Sequence, residues 1–84
     1  MGHVGKVITV VKIYPDEGFS AEQVMGEVRK IKECNSARVE EIAFGAKAVI
    51  ASFVCEDAEA KDFEEIARGV RGVSEVQVEE VGLV

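Results

Sequence analysis

Over residues 4–14 (VGKVITVVKIY) the odd positions Val7, Thr9, Val11 and Ile13 form one apolar face, and the even positions, with Lys6 and Lys12, form a wetter one. A period of two in a run rich in Val and Ile predicts a strand. Pro15-Asp16-Glu17-Gly18 ends it as a turn. Ser20-Ala21-Glu22-Gln23 has the form of a capping box, in which the Ser hydroxyl and the Gln side chain each satisfy an N–H at the start of a helix. Val24, Val28 and Ile31 follow at helical spacing, so the pattern predicts an amphipathic helix of about four turns that stops near Asn35. Lys30 and Lys32 suit the negative end of that helix.

Residues 37–43 (ARVEEIA) read as a weak strand carried by Val39 and Ile42. Residues 46–55 (AKAVIASFVC) read as a strong one, apolar on both faces as a central strand is. From about Ala60 the spacing of Phe63, Ile66, Ala67 and Val70 turns helical, and Asp62 with Glu65 resembles a capping pair that sets the start a turn later. Gly69 and Gly72 bracket its end, and Val73 to Val81 alternates, with Val76 and Val78 opposite Glu75, Gln77 and Glu79. The order β-α-β-β-α-β in one domain spanning 1–84 predicts an α+β, ferredoxin-like fold. Its four-stranded antiparallel sheet has the order 4-1-3-2, with two helices on one face.

Composition narrows what such a domain does. The net charge is −6 and the pI near 4.7, so the surface repels phosphate backbones and nucleic acid is not an expected direct ligand. There is also no aromatic platform of the kind that RNA-binding members of this architecture use. No apolar run spans a bilayer, and MGHVGKVITVVKIYP reads as a strand rather than a signal peptide, so the expected location is the cytoplasm, with no membrane partner. Cys34 and Cys55 lack a CxxC spacing and are expected as free thiols, although the topology brings them to the same end of the sheet.

Catalytic candidates fall away in turn. His3 is the only histidine and lies at the terminus, and the serines have no matched base, so no catalytic residue is assigned. Glu56-Asp57-Glu59 lacks the alternating ligand spacing of a calcium loop, and the many carboxylates read as a solvated surface; no metal or cofactor is expected. Gly2-His3-Val4-Gly5-Lys6 leads into a strand instead of a helix and is not a phosphate loop.

Phe44-Gly45 is the exception to this quiet surface. Two strand-like runs flank it, and Gly accepts the positive φ of a tight reversal, so Phe44 falls at a hairpin tip where water is the default neighbour. The ring either folds back over the sheet edge, against Phe19 for example, or is held out for a partner.

The segment Glu41-Ile42-Ala43-Phe44-Gly45-Ala46-Lys47, with Val11-Lys12-Ile13-Tyr14-Pro15 and Gly72-Val73-Ser74-Glu75-Val76, resembles the guanine-nucleotide exchange domain family of translation elongation factor 1 beta subunits, in its archaeal form. The resemblance covers essentially the whole chain and implies the same ferredoxin-like fold. It implies an exchange factor that is not an enzyme of covalent chemistry. Its partner would be the elongation-factor alpha-subunit GTPase that carries aminoacyl-tRNA. By the family pattern Phe44 docks in a pocket of that GTPase, with Gly45 and Lys47 beside it. The family also carries a basic residue next to the C-terminus that reaches the magnesium site. Here the tail reads Glu79-Glu80-Val81-Gly82-Leu83-Val84, with Leu83 in that place, so partner contact at Leu83 carries over but displacement of magnesium by a cation does not. Another cation such as Lys47, or deformation by contact, would have to serve. The competing expectation is a small-molecule regulatory domain of the same fold, for which Gly18 in the first strand–helix corner is a feeble signature.

Overall fold

The computed structural model describes residues 5–56 and 61–83; His3, Asp57, Glu59 and Val84 lie outside them. The elements are β1 (Lys6–Pro15), α1 (Ala21–Val28), β2 (Cys34–Ala43), β3 (Ala46–Glu56), α2 (Phe63–Arg68) and β4 (Val73–Leu83). The four strands form one sheet in the order β2-β3-β1-β4, with every neighbouring pair antiparallel. This is the ferredoxin-like arrangement read from the alternation.

The two central strands supply most of the core. Val11 and Ile13 of β1 and Val49, Ala51 and Phe53 of β3 are buried on the helix side, where Val24 and Val28 of α1 and Phe63 and Ala67 of α2 meet them. The rings of Phe53 and Phe63 stack with centroids 4.8 Å apart and an interplanar angle of 4°. Burial of each ring is worth roughly 1.5–3 kcal/mol, and the ring pairing about 0.5–1.5 kcal/mol more. This contact fixes α2, which is only six residues long, on the sheet.

The capping box of α1 is present in both halves. Gln23 N donates to Ser20 Oγ at 3.1 Å, and Ser20 N donates to Gln23 Oε1 at 2.8 Å. The helix is shorter than its apolar spacing predicts, eight residues instead of four turns. After Val28 the chain tightens: Lys30 N donates to Glu27 O and Ile31 N to Val28 O, one residue short of the α-helical spacing. Arg29 donates to Ala37 O at 2.9 Å and ties this turn to the strand that follows. Ile31 still packs on the core, which is why its spacing looked helical. Asn35 is no helix stop but lies inside β2, which begins at Cys34, three residues earlier than its weak apolar signal.

At the other helix only the Asp62 half of the capping pair forms, with Glu65 N donating to Asp62 Oδ1 at 3.2 Å. Gly69 caps α2 with an ordinary negative φ, whereas Gly72 has φ +90. A Cβ on Gly72 would lie 2.7 Å from the Phe19 ring, so that ring can occupy its place only because the residue is glycine.

β4 departs from simple alternation. Val10 pairs with Glu80 but Val11 with Val78, so Glu79 is an extra residue in a β-bulge. The bulge shifts the parity, and Val76, Val78, Val81 and Leu83 all take the helix side, opposite Ile13, Val11, Thr9 and Val7. Val76 is buried there. Val78, which shares its face, is 38% exposed, and Val81 and Leu83 are 63% and 77% exposed.

The register also sets where the loops lie. Asp16 N donates to Gly72 O at 2.7 Å, joining the two loops at the end of the sheet where the β2–β3 turn reverses. Val7 lies between Cys55 and Leu83, which places both of those at the opposite end.

Candidate partner-docking site

The β2–β3 connection is a two-residue hairpin, with Ala43 paired to Ala46 across Phe44 and Gly45. Both loop residues have positive φ, +49 for Phe44 and +81 for Gly45, as a type I′ turn requires. Gly45 suits that position. A Cβ there would meet nothing within 4 Å, so it is the backbone dihedral and not crowding that favours glycine. Phe44 does not suit its own. The first position of such turns favours Asn, Asp or Gly, and a left-handed φ costs an L-residue with a bulky side chain about 1–2 kcal/mol.

Nothing in the fold repays that cost. The Phe44 ring is fully exposed and packs on none of the described residues. It does not fold back on Phe19, which instead lies against Gly72 with the Arg71 guanidinium 5.9 Å from its ring centre. Of the two readings open at the level of sequence, the structure shows the ring projecting. An apolar ring without burial, on a residue with strained backbone, is the combination expected of a contact made with another molecule.

Lys47 stands at the base of the same hairpin. Its Nζ lies 3.6 Å from Glu22 Oε2 in the first turn of α1, and Glu41 is its cross-strand neighbour. The hairpin is thus tied to a helix end that the Ser20–Gln23 box fixes. The sequence pattern points to Lys47 but not to Glu22, which enters there only as part of the Ser20–Gln23 box. A shallow groove lined by Pro15, Phe19, Ser20, Ala21, Glu22, Gly45 and Lys47 runs beside the tip.

Leu83 is not part of this group. It lies level with Cys55, and Cys55 is nine steps along β3 from Ala46, a span of about 30 Å along the strand. The residues singled out from the sequence therefore fall into two sets at opposite ends of the sheet: Phe44, Gly45 and Lys47 at one, Leu83 at the other.

Among the described residues, the two titratable groups with a resolved shift belong to the far end. The Lys61 ammonium hydrogen-bonds the Glu33 carboxylate and holds its pKa below the ordinary value, while burial pushes the Cys34 thiol up. Both cysteines are free. Among the described residues, no three His, Cys, Asp or Glu side chains gather in a way that would hold a metal ion. No helix among them is long and apolar enough to cross a membrane.

No curated protein matches the chain in a sequence search. A family model does, described as the EF-1 guanine nucleotide exchange domain, and it covers residues 6–84, which take in every strand and helix as well as the Phe44 hairpin. The chain therefore belongs to the EF-1 guanine nucleotide exchange domain family of translation elongation.

Proposed function

We propose that this domain speeds GDP release from the aminoacyl-tRNA-carrying alpha-subunit GTPase of translation elongation, and that Phe44 is the anchor by which it holds that partner. Membership of the exchange family supports a partner that is an elongation-factor GTPase and an action by binding. The observation that carries the residue assignment is the fully exposed Phe44 ring on a positive-φ backbone at the tip of a two-residue hairpin.

The physical basis is linkage. A protein that binds the nucleotide-free GTPase more tightly than the nucleotide-bound form weakens nucleotide binding by the same free energy. No bond is made or broken, so no nucleophile or general base is called for. The domain needs a rigid body and contacts that fit only the open state. Gly45 sets the turn, and Lys47 exchanges its Glu22 contact for an acidic group of the partner or keeps it as a brace. Leu83, at the other end, touches the GTPase through an apolar contact and exchange proceeds by deformation of the nucleotide site; Leu83→Lys is then expected to change the rate. The setting is the cytoplasm of an archaeal cell.

The test is release of labelled GDP from the matching GTPase in excess unlabelled nucleotide. Wild type is expected to accelerate release. Burial of a phenylalanine ring contributes about 2–3 kcal/mol, so Phe44→Ala at sub-saturating concentration should lose roughly 30- to 150-fold of that acceleration. Its melting temperature should stay at the wild-type value. Equal acceleration by both proteins would remove Phe44 from the interface and leave the exchange activity standing.

A further inference from the structure

The two edges of the sheet are built differently. On β2, Arg38 and Glu40 pair with each other at 2.9 Å, and no large apolar side chain is among the exposed ones. On β4, Val78, Val81 and Leu83 are exposed in a row on the helix side, and none of the ion pairs of the described residues involves Glu75, Glu79 or Glu80. Of these, Glu75 and Glu80 share the open side of the sheet with Gln77, because they pair with Tyr14, Val10 and Lys12. β4 is therefore an edge strand with bare apolar groups on one side and bare carboxylates on the other.

We infer that β4 is a docking edge for an extended segment of another protein, one that alternates apolar and basic residues and adds to the sheet as a fifth strand. The outer backbone groups of an edge strand supply the hydrogen bonds of strand addition, and alternate side chains supply the selectivity. An added strand presents successive side chains to the two sides in turn. Those on the helix side meet Val78, Val81 and Leu83; those on the open side meet Glu75 and Glu80. Only an apolar–basic alternation satisfies both.

A second copy of this chain is the wrong occupant. Antiparallel pairing of two β4 edges gathers Glu75 and Glu80 of both copies on the one open side, and when centred on Gln77 it sets Glu75 of one opposite Glu80 of the other; each copy also carries a net charge of −6, and like charges opposed on a sheet are destabilising. The bulge at Glu79 limits the added ladder to a few residues, so the contact is short and relies on its side chains. This inference stands on the β4 edge alone and does not depend on the exchange reading.

The experiment contains no GTPase, so its failure would leave the exchange reading untouched. The ¹⁵N-labelled full chain is titrated with a short peptide alternating valine and lysine. A peptide of the same composition with its valines and lysines in separate blocks, and one with glutamate in place of lysine, serve as comparisons. Saturable shifts confined to Val73–Leu83 and its β1 neighbours are expected with the alternating peptide. Val81→Ser with Leu83→Ser, and separately Glu75→Gln with Glu80→Gln, should each weaken binding about tenfold or more. These side chains are exposed or edge-facing, and unchanged melting curves verify that the variants remain folded. Shifts spread over the acidic surface, equal binding of the block peptide, or variants that bind as wild type does would each overturn the inference.

Discussion

Phe53 and Phe63 lie face to face under the sheet, while Phe44 stands in water at its end. The residue type is the same in both regions, and so is the free energy that burial of such a ring releases. What differs is who receives it. Phe53 takes the helix side of the central strand by the parity of that strand, and Phe63 opens α2 directly above it, so their burial holds the domain together. Phe44 occupies a turn that has no inside. Its burial energy is unspent in the free protein, and its positive φ adds a local cost that folding alone does not repay. A count of apolar residues cannot separate these cases, but position within the elements does.

The comparison breaks most sharply at the core pair. Phe53→Ala should destabilise the domain by about 3–5 kcal/mol, the range for loss of a buried ring with the cavity it leaves. Against a total stability of about 5–15 kcal/mol this is a severe loss. Urea unfolding checks it, and any exchange activity should fall only in proportion to the unfolded fraction. Phe44→Ala should do the reverse and stay within about 0.5 kcal/mol of wild type in the same unfolding experiment.

Gly72 sits between these extremes. Gly72→Ala puts an L side chain at φ +90 and a Cβ into the Phe19 ring. The strain alone is about 1–2 kcal/mol, and displacement of the ring adds to it, so a loss of about 2 kcal/mol is expected in thermal or urea unfolding. Phe19 also lines the groove beside Gly45, so this variant asks to which region it belongs. A loss of exchange larger than the stability loss explains would move Phe19 from the core to the docking end.

Period and capping chemistry made most of the fold legible. The alternation at Val7 to Ile13, the apolar run at Ala46 to Cys55 and the Ser20–Gln23 box each have one local meaning, and the structure keeps it. Errors arose where tertiary contacts overrule local pattern. Ile31 has helical spacing but reaches the core from a turn, because Arg29 must bridge to Ala37 as the chain enters β2. Val78 alternates like a core residue, yet the last helix leaves it partly uncovered. The bulge at Glu79 was visible in principle: Val76, Val78, Val81 and Leu83 are spaced two, three and two apart, and a strand that keeps one face through that spacing must carry an extra residue. At the hairpin end the tip could be read from Phe44-Gly45, but the strained φ of Phe44 and the Glu22 contact of Lys47 could not, since both depend on how the turn and helix meet in space.

The smallest expected effect concerns the end of the sheet farthest from Phe44. Lys61, just before α2, hydrogen-bonds Glu33, just before β2, and Glu33 O also accepts from Val54 N. The Lys61 hydrogen bond is the main cause that holds the Glu33 pKa below its ordinary 4.5. A carboxylate whose pKa is lower folded than unfolded stabilises the fold above its unfolded value, and loses that contribution as the pH falls through the folded one. Glu33→Gln should therefore lower stability slightly at neutral pH, and the gap from wild type should close once the pH is well below 4.5. Urea unfolding of both proteins across that range measures the gap. A gap that persists in acid would mean that the side chain acts by packing, not by charge. Exchange by Glu33→Gln at neutral pH should match wild type, because this pair braces the scaffold about 30 Å along the sheet from the hairpin proposed to meet the partner, and at the β2 edge, across the sheet from Leu83 on β4. A variant that lost exchange while keeping its stability would join the two ends that the phenylalanines hold apart.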